Sequence, residues 1–407
     1  MKYQAYLKYK TRFVSKLKNV DFFSGGLVFC LSAILSYTFL HSPGTSDVSI
    51  WMRWISAMQE YGVTGGYAIS QSDYPPLSFA LLGGVKWFSA LFGADIFVTL
   101  KGSLFLFLLL TSLTVVLWSR NWMLGAALHT MLLFNAMGLA YLDMYYALPL
   151  LLSVWALHKN KPLLFVFLFT ISVFIKWQPV VLGPFFALYL WRNYKDDWKR
   201  YIWHKHAKYV SAFFLFSLFV LLWYFGFSQV LESFRRAGDH YYISANALNL
   251  GWLLEATPLV AKELVDIRII AALQKLLFGF MFMYLLYRFF RDEKKNLAQC
   301  ISYCLLAYLS YFMLSSGVHE NHMFIPVLLS CIGVILSRVS HTDFFFIGLF
   351  NVVNLVSIYG IDGRSWNIQL VEHVDTYILF AFLGVVFYIF FLIKTLVNNN
   401  AGLDTYE

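Results

Sequence analysis

Apolar segments of about 20 residues alternate with short polar connections along most of the chain. Residues 22–40, 96–119 and 267–290 are clear examples, and each segment is long enough to cross a hydrocarbon core of about 30 Å as a helix. These runs are continuous, whereas the strands of a transmembrane β-barrel alternate residue by residue. The pattern therefore predicts an all-α fold, a polytopic transmembrane helical bundle of about 11–13 spans.

The distribution of Lys and Arg predicts which connections face the cytoplasm, because basic residues are enriched in cytoplasmic loops. Basic residues cluster before the first span and again in the loop 192–208, whereas Asp47, Asp73 and Asp143 fall in connections on the other side. The chain is therefore predicted to be one integral membrane domain, 1–407, with a cytoplasmic N-terminus (1–21), a first outer loop (42–95), a second outer region (228–266) and a cytoplasmic tail (395–407).

The segment 78–92 is apolar but short, and Gly83, Gly84 and Lys86 interrupt it. We expect it to form an interfacial helix in the first outer loop rather than a span. If it crossed the membrane, every later connection would change sides, and the basic loop 192–208 would lie outside against the charge rule.

The composition supports a membrane protein and disfavours soluble classes. The chain is 60% hydrophobic and only 13% charged, whereas a soluble domain is about half apolar and about a quarter charged. Cytoplasmic loops explain the net charge of +9, so nucleic acid is not an expected partner. The four cysteines lie in apolar runs and are expected to be buried thiols: Cys30, Cys300, Cys304 and Cys331.

The first outer loop contains a polar, turn-rich stretch, and Asp47 lies near its beginning. A carboxylate at the mouth of a lipid-facing groove is a candidate general base, since it can accept the proton of an attacking hydroxyl. Ser46 or Asp47 also fits the N-cap of a helix over 48–61, so both interpretations stay open. Trp51 and Trp54 follow on this helix and are candidates for a platform that binds a sugar ring.

Asp73 and Tyr74 precede Pro75 and Pro76. Proline cannot continue a helix but fits its first position, so this motif predicts a rigid turn that starts the next helix. The turn is expected to shape the site, and Tyr74 is a further candidate for the sugar platform.

Two polar positions follow in the middle of the chain. Asp143 lies among tyrosines, which is typical of an aromatic belt at the membrane surface, but its carboxylate would also hold a Lys or Arg in place. Lys176 ends an outward span; it either snorkels to the interface or contacts a phosphate. Trp177 follows it as another platform candidate.

His319, Glu320, Asn321 and His322 form the densest polar motif of the C-terminal half. The two histidines are one residue too close for the His-Glu-x-x-His zinc signature, and they share a helix face at this spacing. Hydrogen bonding of His319, Glu320 and His322 to an anionic group is favoured over a metal site.

Arg235 and Arg364 are predicted on the outer face, against the charge bias. An outer arginine is expected where a phosphate must be held, because its guanidinium binds phosphate oxygens in pairs. Snorkelling to lipid head groups is the competing explanation.

The order of these elements resembles a known family. A basic N-terminus, one span, an early Asp, the Asp73-Tyr74-Pro75-Pro76-Leu77 motif and a downstream Val318-His319-Glu320-Asn321-His322 motif are similar to the endoplasmic-reticulum glucosyltransferases of N-glycan assembly. Those enzymes belong to the GT-C superfamily, which uses polyprenyl-phosphate-sugar donors. They carry a lysine where this chain has Asn321.

The resemblance implies a hexosyltransferase with an active site on the extracytoplasmic face, an inverting reaction and Asp47 as the catalytic base. It implies a polyprenyl-phosphate-sugar donor, a lipid-linked or cell-envelope glycan acceptor and no cofactor or metal. His319 would stabilise the leaving phosphate together with a cation such as Lys176, Arg235 or Arg364. Short outer loops favour the bacterial inner membrane. The alternatives are a lipid-glycan flippase or transporter, and a polysaccharide polymerase or ligase.

Overall fold

The computed structural model describes residues 23–194, 205–239, 242–293, 296–361, 363 and 375–400. Within these residues the fold is all-helical, and extended pairing is limited to isolated bridges between Ala245–Asn246 and His319. Arg364, the predicted N-terminal segment 1–21 and the end of the predicted tail, 401–407, lie outside the described residues.

Seventeen helices, counted over the described residues, follow one another with short connections. They are α1 (Phe23–Thr38), α2 (Asp47–Ser70), α3 (Pro76–Phe92), α4 (Ile96–Ser119), α5 (Trp122–Leu133), α6 (Met144–His158), α7 (Pro162–Ile175), α8 (Gly183–Tyr194), α9 (Lys205–Phe225), α10 (Phe227–Gly238), α11 (Leu250–Glu255), α12 (Pro258–Ala261), α13 (Ile267–Arg291), α14 (Leu297–Leu314), α15 (Phe324–Ile335), α16 (His341–Tyr359) and α17 (Thr376–Asn400). A π-helical turn, Phe134–Gly138, follows α5, and 3₁₀ turns precede α8 (Gln178–Leu182) and α15 (Glu320–Met323).

The chain is a helical membrane protein. Among the described residues, α4, α13, α14, α16 and α17 are long and apolar enough to cross a membrane, which gives 5 spans. The pair α9–α10, bent by 86°, makes a sixth if it is counted as one span. Shorter apolar helices are α1, α3, α6, α7 and the stretch Glu320–Ile335. Five or six of the predicted spans therefore meet the length requirement, and the total of about 11–13 spans stays a prediction.

Local sequence explains several helix boundaries. The bounds of α4 are those predicted, and Asp95 caps α4 by accepting a hydrogen bond from the backbone N–H of Val98. The helix predicted over 48–61 is longer than expected, because the chain continues through a kink at Gly62. The φ of Gly62 is 74°, a conformation that glycine adopts without steric cost.

Helix α5 ends at Leu133 and widens into the π-helical turn, after which the backbone N–H of Tyr141 bonds the carbonyl of Asn135. One sequence prediction about burial was wrong. Cys30 was expected to be buried, but its side chain is exposed on the outside of α1. The other three cysteines are buried free thiols.

Charged connections separate to opposite ends of the bundle. Helix α6 begins just after Asp143, which pairs with Lys176, and it ends at His158, which shares a cavity with Arg120. The end of the bundle at which α6 begins is called the Asp47 end, because Asp47 and Lys176 line the same cavity there. The end at which α6 finishes is called the basic end. The buried core between them is built largely from α6, α14 and α15.

Candidate functional site

A cavity of about 530 Å³ opens at the Asp47 end, between α2, α10, the turn after α7 and the turn before α15. We call it the Asp47 cavity. Its walls include most of the residues predicted to form a site: Asp47, Trp51, Trp54, Asp73, Tyr74, Lys176, Trp177, Arg235, His319 and His322. Two predicted residues, Asp143 and Glu320, lie behind the wall instead.

Asp47 is the first residue of α2 and lines the cavity. Ser46 occupies the N-cap position with helical backbone angles and makes no side-chain capping bond. The connection before the helix is held by a hydrogen bond from the backbone N–H of Thr45 to the carbonyl of Leu139. Burial raises the pKa of the Asp47 carboxyl most, and the negative charge of Glu320 raises it further. The positive charge of Lys176 acts in the opposite direction.

A buried ion pair sets the position of the principal cation. The Nζ atom of Lys176 donates to Oδ2 of Asp143 at 2.7 Å, and Tyr146 donates to the other oxygen of the same carboxylate at 3.2 Å. The ammonium of Lys176 also lies 4.8 Å from the centre of the Tyr74 ring. Lys176 is therefore held at the cavity wall by a carboxylate and an aromatic face, rather than snorkelling to the membrane surface.

Asn321 completes the surroundings of the Asp143 carboxylate. Its Nδ2 atom donates to Oδ2 of Asp143 at 2.9 Å. Its Oδ1 atom is buried and has no hydrogen-bond partner among the described residues, and the side chain lines the cavity. This residue therefore offers an acceptor to a bound polar group.

The two histidines of the downstream motif share the cavity wall. The ring centres of His319 and His322 are 5.6 Å apart. His322 stacks on Tyr311 at 5.7 Å, and its Nε2 atom lies 2.8 Å from Nε2 of Gln178. Gln178 and Tyr311 were not among the predicted site residues; the position of Gln178, two residues after Lys176, was the only sequence signal for it.

Glu320 was predicted to bind substrate, and the structure places it outside the cavity. Its side chain is buried, and Oε1 accepts hydrogen bonds from the hydroxyls of Tyr141 and Tyr359. The physical reason is that 320–323 form a 3₁₀ turn with about three residues per turn. Residues 319 and 322 therefore face the same way, whereas Glu320 points away from the cavity and Asn321 lines its wall.

Aromatic rings form the remaining walls. Trp51, Trp54 and Tyr74 contact one another with ring centres 4.8, 5.1 and 5.4 Å apart. On the α10 side, Trp177 packs against Phe234 at 5.1 Å. Among the described residues, the buried Nε1 atoms of Trp51 and Trp177 have no hydrogen-bond partner. The walls therefore combine apolar faces with unused donors, an arrangement that suits a ligand with both C–H faces and hydroxyls.

Arg235 lies at the rim of the cavity. Its side chain is 66% exposed and pairs with Glu232 at 2.8 Å and with Asp239 at 3.4 Å. It is therefore a surface cation near the entrance rather than a group in the interior. Among the described residues, no three His, Cys, Asp or Glu side chains converge as ligands for a metal ion.

A second cavity of about 540 Å³ adjoins the first one across a shared wall of Ile50, Trp54 and Asp73. Arg53 and Arg236 line it as well. A ligand in this second cavity would be separated from the Asp47 cavity by a single layer of side chains.

Comparison with known proteins adds no relative to this picture. No protein-family model matches the chain, and no curated protein matches it either. Function is therefore inferred from the chemistry of the cavity itself.

Proposed function

We propose that this membrane protein is a glycosyltransferase that moves a hexose from a polyprenyl-phosphate-sugar donor to a glycan acceptor with inversion at the anomeric carbon. The observation that carries the proposal is the meeting of Asp47, Lys176 and His319, from three distant parts of the chain, in one aromatic cavity. A proton acceptor, a fixed cation and imidazoles beside a sugar-binding surface are the groups that this transfer needs.

The hexose of the donor fits the aromatic part of the cavity. Sugar rings present C–H faces, which pack on indole and phenol rings, and hydroxyls, which need hydrogen-bond partners. Trp51 and Tyr74 supply the rings, and the unused atoms of Trp51, Trp177 and Asn321 supply donors and an acceptor. The volume of about 530 Å³ lies within the usual range for small-molecule sites.

The donor phosphate belongs near the cations. Lys176 and the His319–His322 pair line the same cavity, and Arg235 stands at the rim, where a lipid phosphate would arrive from the membrane. Cations already held in place compensate negative charge on a leaving group without reorganising, which lowers the barrier.

The chemical step then follows from the positions of these groups. Asp47 accepts the proton of an acceptor hydroxyl as its oxygen forms a bond to the anomeric carbon. The bond from that carbon to the phosphate oxygen breaks, and its electron pair leaves with the polyprenyl phosphate. Attack on the side opposite the phosphate inverts the configuration. The raised pKa of Asp47 makes its carboxylate a stronger base than an exposed aspartate.

The acceptor is assigned to the second cavity. Trp54 and Asp73, two residues of the shared wall, would direct an acceptor hydroxyl towards Asp47. Arg53 and Arg236 would bind polar or anionic groups of the glycan or its lipid carrier. Donor and acceptor would thus enter from different sides of the Trp54–Asp73 wall.

The membrane placement follows from charge. Arg120 and Lys159 lie at the basic end, which we assign to the cytoplasm. The Asp47 cavity would then face the extracytoplasmic side, and the short outer loops favour a bacterial inner membrane. The shorter helices would complete a GT-C-type bundle. Helix α3 starts just after Tyr74, at the Asp47 end of the bundle. The next helix, α4, carries Lys101 near its start, and Lys101 bonds Ser42 at the same end of the bundle. The chain therefore enters and leaves α3 at one end, which supports an interfacial position for α3.

The test is transfer by the purified, reconstituted protein, screened across polyprenyl-phosphate hexoses with lipid-linked glycans as acceptors. We expect transfer with one hexose, and a loss of about 10²–10⁴-fold in Asp47→Asn. Asp95→Asn is the matched control, because it makes the same change in the same loop and Asn still caps α4.

Two outcomes would overturn the proposal. Transfer by Asp47→Asn at the rate of the unmodified protein would remove the proposed base. Movement of a lipid-linked sugar across liposomes with no glycosidic bond formed would favour a flippase.

A further inference from the structure

A further polar cavity, of about 410 Å³, lies at the opposite end of the bundle from the Asp47 cavity, at the basic end. Five helix ends meet there: the C-termini of α4, α6 and α15 and the N-termini of α5 and α16. We call it the basic cavity. It is lined by Trp118, Ser119, Arg120, Asn121, Leu124, His158, Lys159, Val334, Ile335 and His341.

The charge of the basic cavity is of one sign. Arg120 and Lys159 are cations, and none of the described residues that line the cavity is acidic. Asp343 of α16, two residues after His341, is paired with Lys394 at 2.8 Å. The C-terminus of a helix favours a cation at that helix end. This effect alone does not explain why the cations that end α4 and α6 line the same cavity.

The cavity also has an apolar side. Leu124, Val334 and Ile335 line it, and Trp118 packs against His158 with ring centres 5.6 Å apart. Leu117, next to Trp118, is 79% exposed on the outside of α4 and marks the lipid-facing side beside the cavity. A cavity that joins cations to a lipid-facing apolar surface matches the boundary between a phospholipid head group and its acyl chains.

The basic cavity is separate from the proposed reaction centre. Helix α4 carries Arg120 at its end and Lys101 near its start, and its 24 residues span about 36 Å. Lys101 bonds Ser42, on the connection that leads to Asp47. A ligand in the basic cavity therefore contacts none of the groups proposed for glycosyl transfer.

We propose that the basic cavity binds the phosphate of an anionic phospholipid head group, such as phosphatidylglycerol or cardiolipin. Arg120 and Lys159 bind the phosphate oxygens, since charge-assisted hydrogen bonds favour an anionic oxygen. Asn121 uses its Oδ1 atom to cap α5, and its amide nitrogen adds a donor. The glycerol and the first acyl carbons lie on the apolar side.

The test is native mass spectrometry of the full-length protein, released from micelles with added phosphatidylglycerol or phosphatidylcholine. We expect the unmodified protein to bind phosphatidylglycerol about 25-fold more tightly than phosphatidylcholine, about fivefold for each of the two cations. In Arg120→Gln/Lys159→Gln, binding of phosphatidylglycerol is expected to be about 25-fold weaker and to equal that of phosphatidylcholine, which is unaffected. If the double variant does not fold, each single substitution is expected to weaken binding about fivefold.

The matched control removes two exposed basic residues outside the cavity, Lys208→Gln/Arg291→Gln, and is expected to bind phosphatidylglycerol like the unmodified protein. Equal loss in the control would overturn the proposal, because general surface charge would then explain binding. Unchanged binding by Arg120→Gln/Lys159→Gln would overturn it too. Complete displacement of the lipid by millimolar inorganic phosphate would show a free-anion site instead of a lipid site.

Discussion

The ammonium of Lys176 lies 2.7 Å from a carboxylate oxygen of Asp143, and both side chains are buried. The pair joins the C-terminus of α7 to the residue before α6 and places a cation in the wall of the Asp47 cavity. A buried cation without such a counter-charge would be costly. The pair therefore makes it physically possible to keep a positive charge where the donor phosphate is proposed to bind.

Removing one partner of this pair is expected to destabilise the protein. In Asp143→Leu the Lys176 ammonium stays buried without its counter-charge, so we expect a loss of about 3–5 kcal/mol in the free energy of unfolding. The measurement is denaturation of the purified protein in detergent. The double variant Asp143→Leu/Lys176→Met removes both charges and is expected to regain most of the stability but none of the transfer activity. A single variant as stable as the unmodified protein would contradict the buried-pair interpretation.

The pH dependence of transfer is expected to follow the charges around Asp47. The base must be ionised, so kcat/KM falls as pH drops through the pKa of Asp47, and burial with Glu320 places this pKa above the usual value of about 4. Glu320→Gln removes a repelling negative charge and moves the acid limb to lower pH. Lys176→Met removes an attracting positive charge and moves it to higher pH. Shifts in the same direction in both variants would exclude Asp47 as the titrating base.

The indole N–H of Trp51, which has no hydrogen-bond partner among the described residues, is expected to bind a sugar hydroxyl. Trp51→Phe keeps an aromatic ring but removes this donor, so KM for the donor substrate should rise about fivefold, as expected for one hydrogen bond of about 1 kcal/mol. Trp87→Phe makes the same change on an exposed side chain outside the cavity and should leave KM unchanged. Equal KM values for the unmodified protein and Trp51→Phe would show that this N–H does not contact the sugar.

The connection before Asp47 is expected to tolerate no Cβ atom at Gly44. Its φ is 76°, and an added Cβ would lie 2.7 Å from the Val48 side chain and 3.0 Å from the carbonyl oxygen of Leu139. Gly44→Ala should therefore cost more than about 1 kcal/mol of stability and lower transfer by displacing the start of α2. Gly102→Ala on α4 adds a Cβ where no atom lies within 4 Å, and no loss is expected. Melting curves and transfer rates of both variants check this.

Sequence patterns predicted which residues lie near one another better than they predicted how each side chain points. The charge rule placed Asp47 and His319 on one side of the membrane, and the structure brings both into one cavity. That rule uses only the sidedness of connections, which hydropathy and basic residues encode directly. The pairing of Lys176 with Asp143 was one of several open alternatives, because it depends on how α6 and α7 are rotated against each other.

Helix geometry explains why Glu320 lies behind the cavity wall. Glu320 and His322 were both expected to bind substrate, and the structure places His322 in the wall of the Asp47 cavity but Glu320 behind it, because residues 320–323 form a 3₁₀ turn. The contribution of Gln178 was missed for a similar reason, since the 3₁₀ turn that begins at this residue directs the chain back towards His322. Short changes of helix type are set by tertiary packing, and hydropathy does not record them.

The connection between the π-helical turn and α6 has a consequence for how the proposed sugar preference can diversify. Leu139 holds the backbone before Asp47, Tyr141 bonds Glu320, and Asp143 bonds Lys176. Three residues of this five-residue connection thus link Asp47, Glu320 and Lys176 into one interdependent unit. Paralogues with a different sugar preference are therefore expected to keep this connection and to vary in the rings that line the cavity, where a substitution alters shape without disturbing the reacting charges.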